Sequence, residues 1–367
     1  MGSVEMTTKY EVLIDYIKGR IADGSYQNGD KLESENQLVD KFGFSRQTVR
    51  QALGILENEG VLERRRGSGT YIRVPKPRHA KTFNIGIIAT YISDYIFPYI
   101  INGIESELTP QGYHITIGVT KNKIEEESRV LRSFMDRHMD GIIIEGTKSA
   151  FPNPNLELYR KLQDMDIPVV FFNSYYPALE NTIFVVTDDM KAGQDITRHL
   201  IDCGCNTIGG MFKSDDMQGH KRYSGYTKAL MEAGLEFDDD RVIWYTTSDE
   251  ARFGEEDFDR YIYRSFRECD AVVCYNDKVA ARLLSVLGKY EVNVPEDIMI
   301  GSFDNSSLSE YSFVPITSMN HPKENLGRIA ARKLLNLIDT HKHESSLVMD
   351  MELVQKKSTK KKNTERN

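Results

Sequence analysis

The sequence predicts an α/β protein with a body of two doubly wound parallel-sheet lobes, preceded by a small N-terminal α+β winged helix-turn-helix domain. Three observations lead there. From position 84 onward, short apolar runs alternate with helical patterns, the arrangement of buried parallel strands joined by right-handed crossovers. Residues 1–73 instead carry three helical patterns punctuated by glycine, then a hairpin pattern. Between the two, 74–82 holds Pro75 and Pro77 and no hydrophobic periodicity, which reads as an extended linker.

The chain has 367 residues, and domains of ~100–200 residues allow two or three of them. It is 40% hydrophobic and 28% charged, a balance that supports a packed core. No apolar run reaches the ~20 residues that span a bilayer. The first 30 residues show no signal-peptide core, so a cytoplasmic protein is expected. Cys203, Cys205, Cys269 and Cys274 form no CxxC pair and do not cluster with histidine. Neither a disulfide framework nor a metal site is indicated, and no cofactor is expected.

Charge is divided along the chain. Residues 1–82 hold 14 Lys+Arg against 11 Asp+Glu, residues 83–355 hold 27 against 43, and residues 356–367 hold six against one. A basic head on an acidic body suits a head that meets a polyanion, although a solvated imbalance gives the same arithmetic. The last segment, KKSTKKKNTERN, reads as a disordered basic tail.

In the head, Tyr10, Leu13, Ile14, Ile17 and Ile21 make one face of a first helix. Ser34 can cap a second, with Leu38, Val39 and Phe42 as its apolar face and Gly43 in the turn. Ser45 can cap a third, burying Val49, Ala52, Leu53 and Leu56 and presenting Arg46, Gln47 and Arg50 on another face. In a helix-turn-helix this last helix enters the major groove. Arginine can bind guanine O6 and N7, and glutamine adenine N6 and N7. Thr48, Lys9 and the basic hairpin tip RRRGSG, which includes Arg66 and Gly67, suit phosphate or the minor groove. Each lone arginine can equally be a solvated surface group; the assembly of helices, turn and wing carries the reading.

In the body, apolar runs recur at Asn84–Ala89, 115–119, 141–144, 168–172, 183–186, 208–212, Val242–Tyr245, Ala271–Cys274 and 298–301. About 270 residues of this pattern exceed one ordinary open sheet, hence two lobes. Ligands of such sheets sit beyond the carboxyl ends of the strands. The polar residues there are Ser93, Asp94 and Tyr95, then Glu145 and Thr147, then Asn173, and in the second lobe Asp188, Lys213, Arg222, Tyr245, Asn276 and Asp304. Carboxylates, amides and guanidinium groups bind hydroxyls well, and Tyr95 or Phe97 can cover the C–H face of a sugar ring. Plainer roles stand beside these: Asp188 as a helix cap, Glu145 and Lys213 in structural ion pairs, Phe97 in the core. Asp277 reads as a helix cap, and His321-Pro322 as the start of a helix or crossover.

Walker, G-x-S-x-G, HExxH and GxGxxG sequences are absent, so an enzyme is not expected. The segments GDKLESENQLVDKFGFSRQTVRQAL and LERRRGSGTYI resemble the winged-helix head of the GntR family of bacterial transcription factors. That resemblance places DNA contacts at Asn36, Arg46, Gln47, Thr48, Arg50, Arg66 and Gly67, although many members carry Pro and Arg where this chain has Glu33 and Asn36. The stretches MDGIIIEGT, VTDDMKAGQDITRHLIDCG, HKRYSGYTKAL, DAVVCYNDKVAARLLSVL and VPEDIMIGSFDNS are similar to the effector domain of the lactose/galactose-repressor family, itself like periplasmic sugar-binding proteins. This supports ligand roles most directly for Asp188, Arg222, Asn276 and Asp304.

The pairing of head and body is similar to the arabinose-repressor family of Gram-positive bacteria. It implies a homodimeric repressor of sugar-utilisation genes, with double-stranded operator DNA and a monosaccharide, L-arabinose, as partners. A sugar-binding transport or chemosensory protein, or a sugar-processing enzyme, is the alternative. The domains expected are 1–73 for DNA, 74–82 as linker, 83–355 for sugar binding and dimerisation, and 356–367 as the tail.

Overall fold

The computed structural model describes residues 8–65, 68–73, 81–92, 96–340 and 344–361. Arg66, Gly67, Ser93, Asp94, Tyr95 and most of the expected linker lie outside these residues. The chain forms two compact units, a head and a body that begins at Thr82. Thr82, counted with the linker above, is held to the body by its amide and hydroxyl, both donating to Asp140 at 2.9 Å.

The head contains α1 (Lys9–Ala22), α2 (Glu35–Phe42), α3 (Arg46–Asn58) and a hairpin of β1 (Leu62–Arg65) with β2 (Gly69–Ile72). The expected caps form. Ser34 accepts from the Gln37 amide while the Gln37 side chain accepts from the Ser34 amide, satisfying donors that a helix start leaves open. Gly43 ends α2 at φ 65°, a left-handed conformation that costs glycine nothing. Leu13, Ile17, Leu38, Val49, Ala52, Leu53, Leu56, Leu62 and Ile72 form the core that fixes the three helices against the hairpin.

The body begins with β3 (Asn84–Ala89), α4 (Phe97–Leu108), β4 (His114–Val119), α5 (Ile124–Asp136), β5 (Gly141–Glu145), α6 (Leu156–Asp164), β6 (Val169–Phe172) and β7 (Ile183–Thr187). It continues with α7 (Asp189–Asp202), β8 (Ile208–Lys213), α8 (Met217–Glu232), β9 (Val242–Tyr245), α9 (Glu256–Phe266), β10 (Ala271–Cys274), α10 (Asp277–Lys289), β11 (Met299–Asp304), α11 (Ser307–Tyr311) and β12 (Thr317–Asn320). It closes with α12 (Lys323–Thr340), β13 (Leu347–Met349) and β14 (Glu352–Val354). The first sheet has the order β13-β7-β6-β5-β3-β4 and is wholly parallel. The second has the order β14-β12-β11-β10-β8-β9, with β14 alone antiparallel. Apolar side chains cover both faces of each sheet, which is what an all-parallel arrangement requires.

The chain passes between the lobes after β7, after β12 and after β13. These passages bring strand ends of both lobes to one cleft. Helix pairs lock each lobe at glycine contacts. A Cβ on Gly225 of α8 would lie 2.0 Å from the Met190 carbonyl of α7, and one on Gly327 of α12 would lie 2.1 Å from the Ile100 carbonyl of α4. Only glycine permits backbones that close.

Two features depart from the sequence reading. The short strands β12, β13 and β14 went unrecognised, because TSMN and ELV are too short and too polar to show a buried-strand pattern. The tail expected to be disordered from 356 is ordered as far as 361. Ser358 is buried between β11 and β12: its amide donates to the Pro315 carbonyl (2.9 Å), and its carbonyl accepts from Ile300 (3.0 Å). Its hydroxyl donates to the Ile300 carbonyl at 2.6 Å. The polar composition that suggested disorder serves to tie together the starts of β11 and β12.

Candidate nucleic-acid interface and ligand cleft

In the head, the start of α3 is exposed and carries Arg46, Gln47 and Arg50. Thr48 is half-buried and engaged in the cap, its amide donating to Ser45 Oγ (3.2 Å) and its hydroxyl paired with the same oxygen (2.8 Å). Lys9 lies 6.0 Å from the ring of Phe44, the residue before that cap, so α1 brings a cation to the same helix end. Asn36 is exposed on α2. The sequence reading overlooked Glu35. Its carboxylate takes Arg50 Nε at 2.8 Å and Arg64 of β1 at 3.3 Å, and Arg64 also reaches Glu57 at 3.1 Å. Helix, recognition helix and wing are thereby tied through one acid. Exposed ion pairs of this kind contribute little stability, so the arginines exchange readily to another anion.

In the body, Arg222 of α8 is 1% exposed. Its Nε donates to Asp189 Oδ1 at 2.9 Å, its Nη1 to the Tyr275 carbonyl at 2.5 Å, and its Nη2 lies 3.8 Å from Asp304 Oδ1. The guanidinium also sits 4.9 Å from the Tyr275 ring and 4.5 Å from the Phe303 ring. Burial opposes its charge, but the Asp189 and Asp304 carboxylates outweigh that and hold its pKa above the usual value. Asp304 ends β11 at φ 94°.

The acid facing Arg222 most closely is therefore Asp189. Asp188, its neighbour, caps α7, with Oδ1 accepting from the Lys191 amide at 3.0 Å. A similar one-residue exchange occurs at α10. Asn276 is the cap, accepting from the Val279 amide at 3.1 Å, and Asp277 is not. Asp277 is buried and accepts from the Ser306 amide (2.7 Å), the Ser306 hydroxyl (2.8 Å) and the Ser318 hydroxyl (2.7 Å). Burial, then the Asp304 charge, push its pKa up to about 6.

Across the cleft, Glu145 accepts from the Thr90 amide (3.0 Å) and hydroxyl (2.5 Å) and from Asn173 Nδ2 (2.9 Å). These partners replace the ion pair considered for it. Asn173, at φ 57°, accepts on Oδ1 from His321 Nε2 at 3.2 Å. Because the Asn173 amide nitrogen donates to Glu145, its oxygen can only accept, and His321 carries its proton on Nε2. His321 lies on the passage from β12 to α12 and is 2% exposed. Burial, then the charges of Lys323 and Arg222, push its pKa down to about 3. The ring is neutral, and its Nδ1 finds no hydrogen-bond partner among the described residues.

Lys213 is buried, with its ammonium 4.0 Å from Asp215 and 3.9 Å from Glu250. Tyr245 is buried between Phe253 and Tyr275, and Phe97 packs against Phe172 at 6.0 Å. Both aromatics pack into the lobe cores, Phe97 in the first lobe and Tyr245 in the second. The lobes touch directly as well. Asn122 donates to Asp215 (3.2 Å) and Thr247 (2.7 Å), and the Met217 amide donates to Ser149 at 3.0 Å. The cleft thus holds a charged guanidinium, carboxylates, amides and one open imidazole nitrogen, a set suited to a polar, uncharged, hydroxyl-rich ligand. Among the described residues, no helix is long and apolar enough to cross a membrane.

Residues 9–72 match the family described as bacterial regulatory proteins, gntR family, and residues 197–359 match the periplasmic binding protein-like domain. The arabinose metabolism transcriptional repressor of Halalkalibacterium halodurans is 37% identical over 372 residues, covering 98% of this chain and 99% of that protein. The protein of the same description from Geobacillus stearothermophilus is 36% identical, covering 96% and 98%. The solved structure of the transcription regulator CcpA of Lactococcus lactis superposes with a TM-score of 0.67 at 29% identity, over 76% of this chain and 99% of that one.

Proposed function

Because this chain belongs to the family of arabinose metabolism transcriptional repressors, a gntR-type head on a periplasmic-binding-protein-like body, we propose that it is a cytoplasmic homodimer whose hold on operator DNA is released by L-arabinose. It is a transcriptional regulator and not an enzyme. The observation that carries the ligand reading is the buried Arg222, held between Asp189 and Asp304, together with the buried Nδ1 of His321, which has no partner among the described residues.

A pentose offers hydroxyls that both donate and accept. Arg222 donates to a ring or hydroxyl oxygen. Asp304, Asp188 and the neutral His321 accept, while Asn173, Asn276, Glu145 and Lys213 frame the remaining hydroxyls. Tyr245 and Phe97 form the floor beneath them. In the head, Arg46, Gln47 and Arg50 read base edges, and Lys9, Asn36, Thr48, Arg66 and Gly67 meet phosphate. Ile117 on edge strand β4, Tyr311 at the end of α11 and Phe313 just after it, all exposed, support dimerisation of the bodies. Two heads then engage two half-sites.

Sugar and DNA bind to different states of one molecule, so each weakens the other by the same factor. The test is operator anisotropy titrated with a panel of pentoses and hexoses. Trp244, the one tryptophan, lies 5.1 Å from His220 and 4.9 Å from Tyr223 of α8, the helix that carries Arg222, and its fluorescence is followed in the same titration. Release by L-arabinose alone supports the reading. Release by another sugar corrects the ligand, and release by none refutes the proposal.

A further inference from the structure

Asp304 and Asn305 both have positive φ, 94° and 46°, although neither is glycine. Two such residues in succession are sterically unfavourable and persist only where the surroundings impose them. The surroundings here converge on Asn305. Its amide donates to Ser318 Oγ at 2.9 Å, and its Nδ2 donates to Asn320 Oδ1 at 3.1 Å. Its carbonyl accepts from Lys323 Nζ at 3.1 Å, and its Oδ1 accepts from Lys356 Nζ at 2.8 Å. Its Oδ1 also accepts from the Ser309 hydroxyl at 3.5 Å. Each main-chain and side-chain polar group of this residue is used, and two of these five bonds come from ammonium groups, the stronger kind.

Both lysines lie beside passages between the lobes. Lys323 opens α12 directly after His321-Pro322. Lys356 follows β14, which the chain reaches on its last passage, and its side chain is only 10% exposed. It belongs to the segment that composition alone marks as a solvated tail.

We propose that Lys323 and Lys356 are positioning residues of the effector site. They hold the Asp304–Asn305 turn in its unfavourable conformation and so keep the Asp304 carboxylate facing Arg222 and the ligand. Neither lysine touches the sugar. Through them the lobe passages and the C-terminal segment set effector affinity. This rests on the assignment of Asp304 to the sugar site.

The test uses the full-length protein with Lys356→Met, Lys356→Arg and Lys323→Met. L-Arabinose affinity is measured by calorimetry, operator affinity by anisotropy, and exchange at the 304–306 amides by mass spectrometry. Losing one charged hydrogen bond to the turn should weaken arabinose binding about tenfold in Lys356→Met, with operator affinity unchanged. Amide exchange at 304–306 should be faster by a similar factor, and Lys356→Arg should restore much of both. Wild-type exchange at 304–306 in both methionine variants would overturn the proposal. So would a loosened turn that still binds arabinose normally. Lys323→Met supplies the same readings if Lys356→Met does not fold. If the unaltered protein binds no monosaccharide, the sugar reading fails, while the exchange measurement still decides whether the lysines hold the turn.

Discussion

Replacing Arg222 with Met removes a guanidinium and leaves a side chain of comparable length in a fully enclosed site. Asp189 is 1% exposed and Asp304 4%, so two carboxylates lose their shared counter-charge with almost no access to water. Removing one partner of such a pair costs about 3–5 kcal/mol, mostly because a buried charge is left uncompensated. The Tyr275 carbonyl loses its donor too. The variant should therefore unfold at a markedly lower urea concentration, followed by circular dichroism and Trp244 fluorescence. Adding Asp189→Asn removes the nearer of the stranded charges. The double variant should regain about half of the loss, a coupling that a double-mutant cycle reads directly. The single variant should also lose its sugar response, while the separate head still binds operator. A single variant within about 1 kcal/mol of the unaltered protein would refute the reasoning, because a surface-like pair costs no more than that. A double variant no better than the single would place the cost elsewhere than in the stranded carboxylate.

Arg50→Ala should weaken operator binding by about 1–3 kcal/mol while non-specific binding changes little, if Arg50 leaves Glu35 to read a base; equal loss on operator and scrambled duplex would make it a phosphate contact. His321 stays neutral in the fold down to about pH 3, whereas an unfolded histidine takes a proton near pH 6.5. The unfolded state therefore binds more protons as pH falls through that window, and His321 removes stability below about pH 6.5, about 2 kcal/mol by pH 5. His321→Gln, which retains a donor for Asn173, should flatten that part of the pH–stability curve, and an unchanged curve would place the histidine in water. Gly225→Ala would set a Cβ 2.0 Å from the Met190 carbonyl; the helices must part, at a cost of about 1–3 kcal/mol in thermal or urea unfolding, and the Asp189–Arg222 contact between those helices should loosen with them, seen as weaker sugar binding. A Tm equal to that of the unaltered protein would show that the contact yields without strain.

Much of the molecule was legible because its signals are local. Ser34 with Gln37, Ser45 and Gly43 mark helix ends through bonds made within a few residues, and Asn84–Ala89 or Ala271–Cys274 announce buried strands by composition alone. The order of helices and strands followed, and with it the head, the two lobes and the strand ends where a ligand belongs. Arg222 and Asp304 were named at those strand ends, but which of two neighbouring polar residues faces them was not legible. Asp188 and Asp189 are adjacent and alike, as are Asn276 and Asp277 in polarity, and one residue of helix register decides which caps and which turns inward. That register is set by packing against α8, where Arg222 waits 33 positions away in sequence. His321, Lys323 and Lys356 carry no pattern of their own either. They acquire meaning from the passages between lobes, where segments distant in the chain meet in a volume with little water, and where every polar atom must find its partner among whatever the fold brings there.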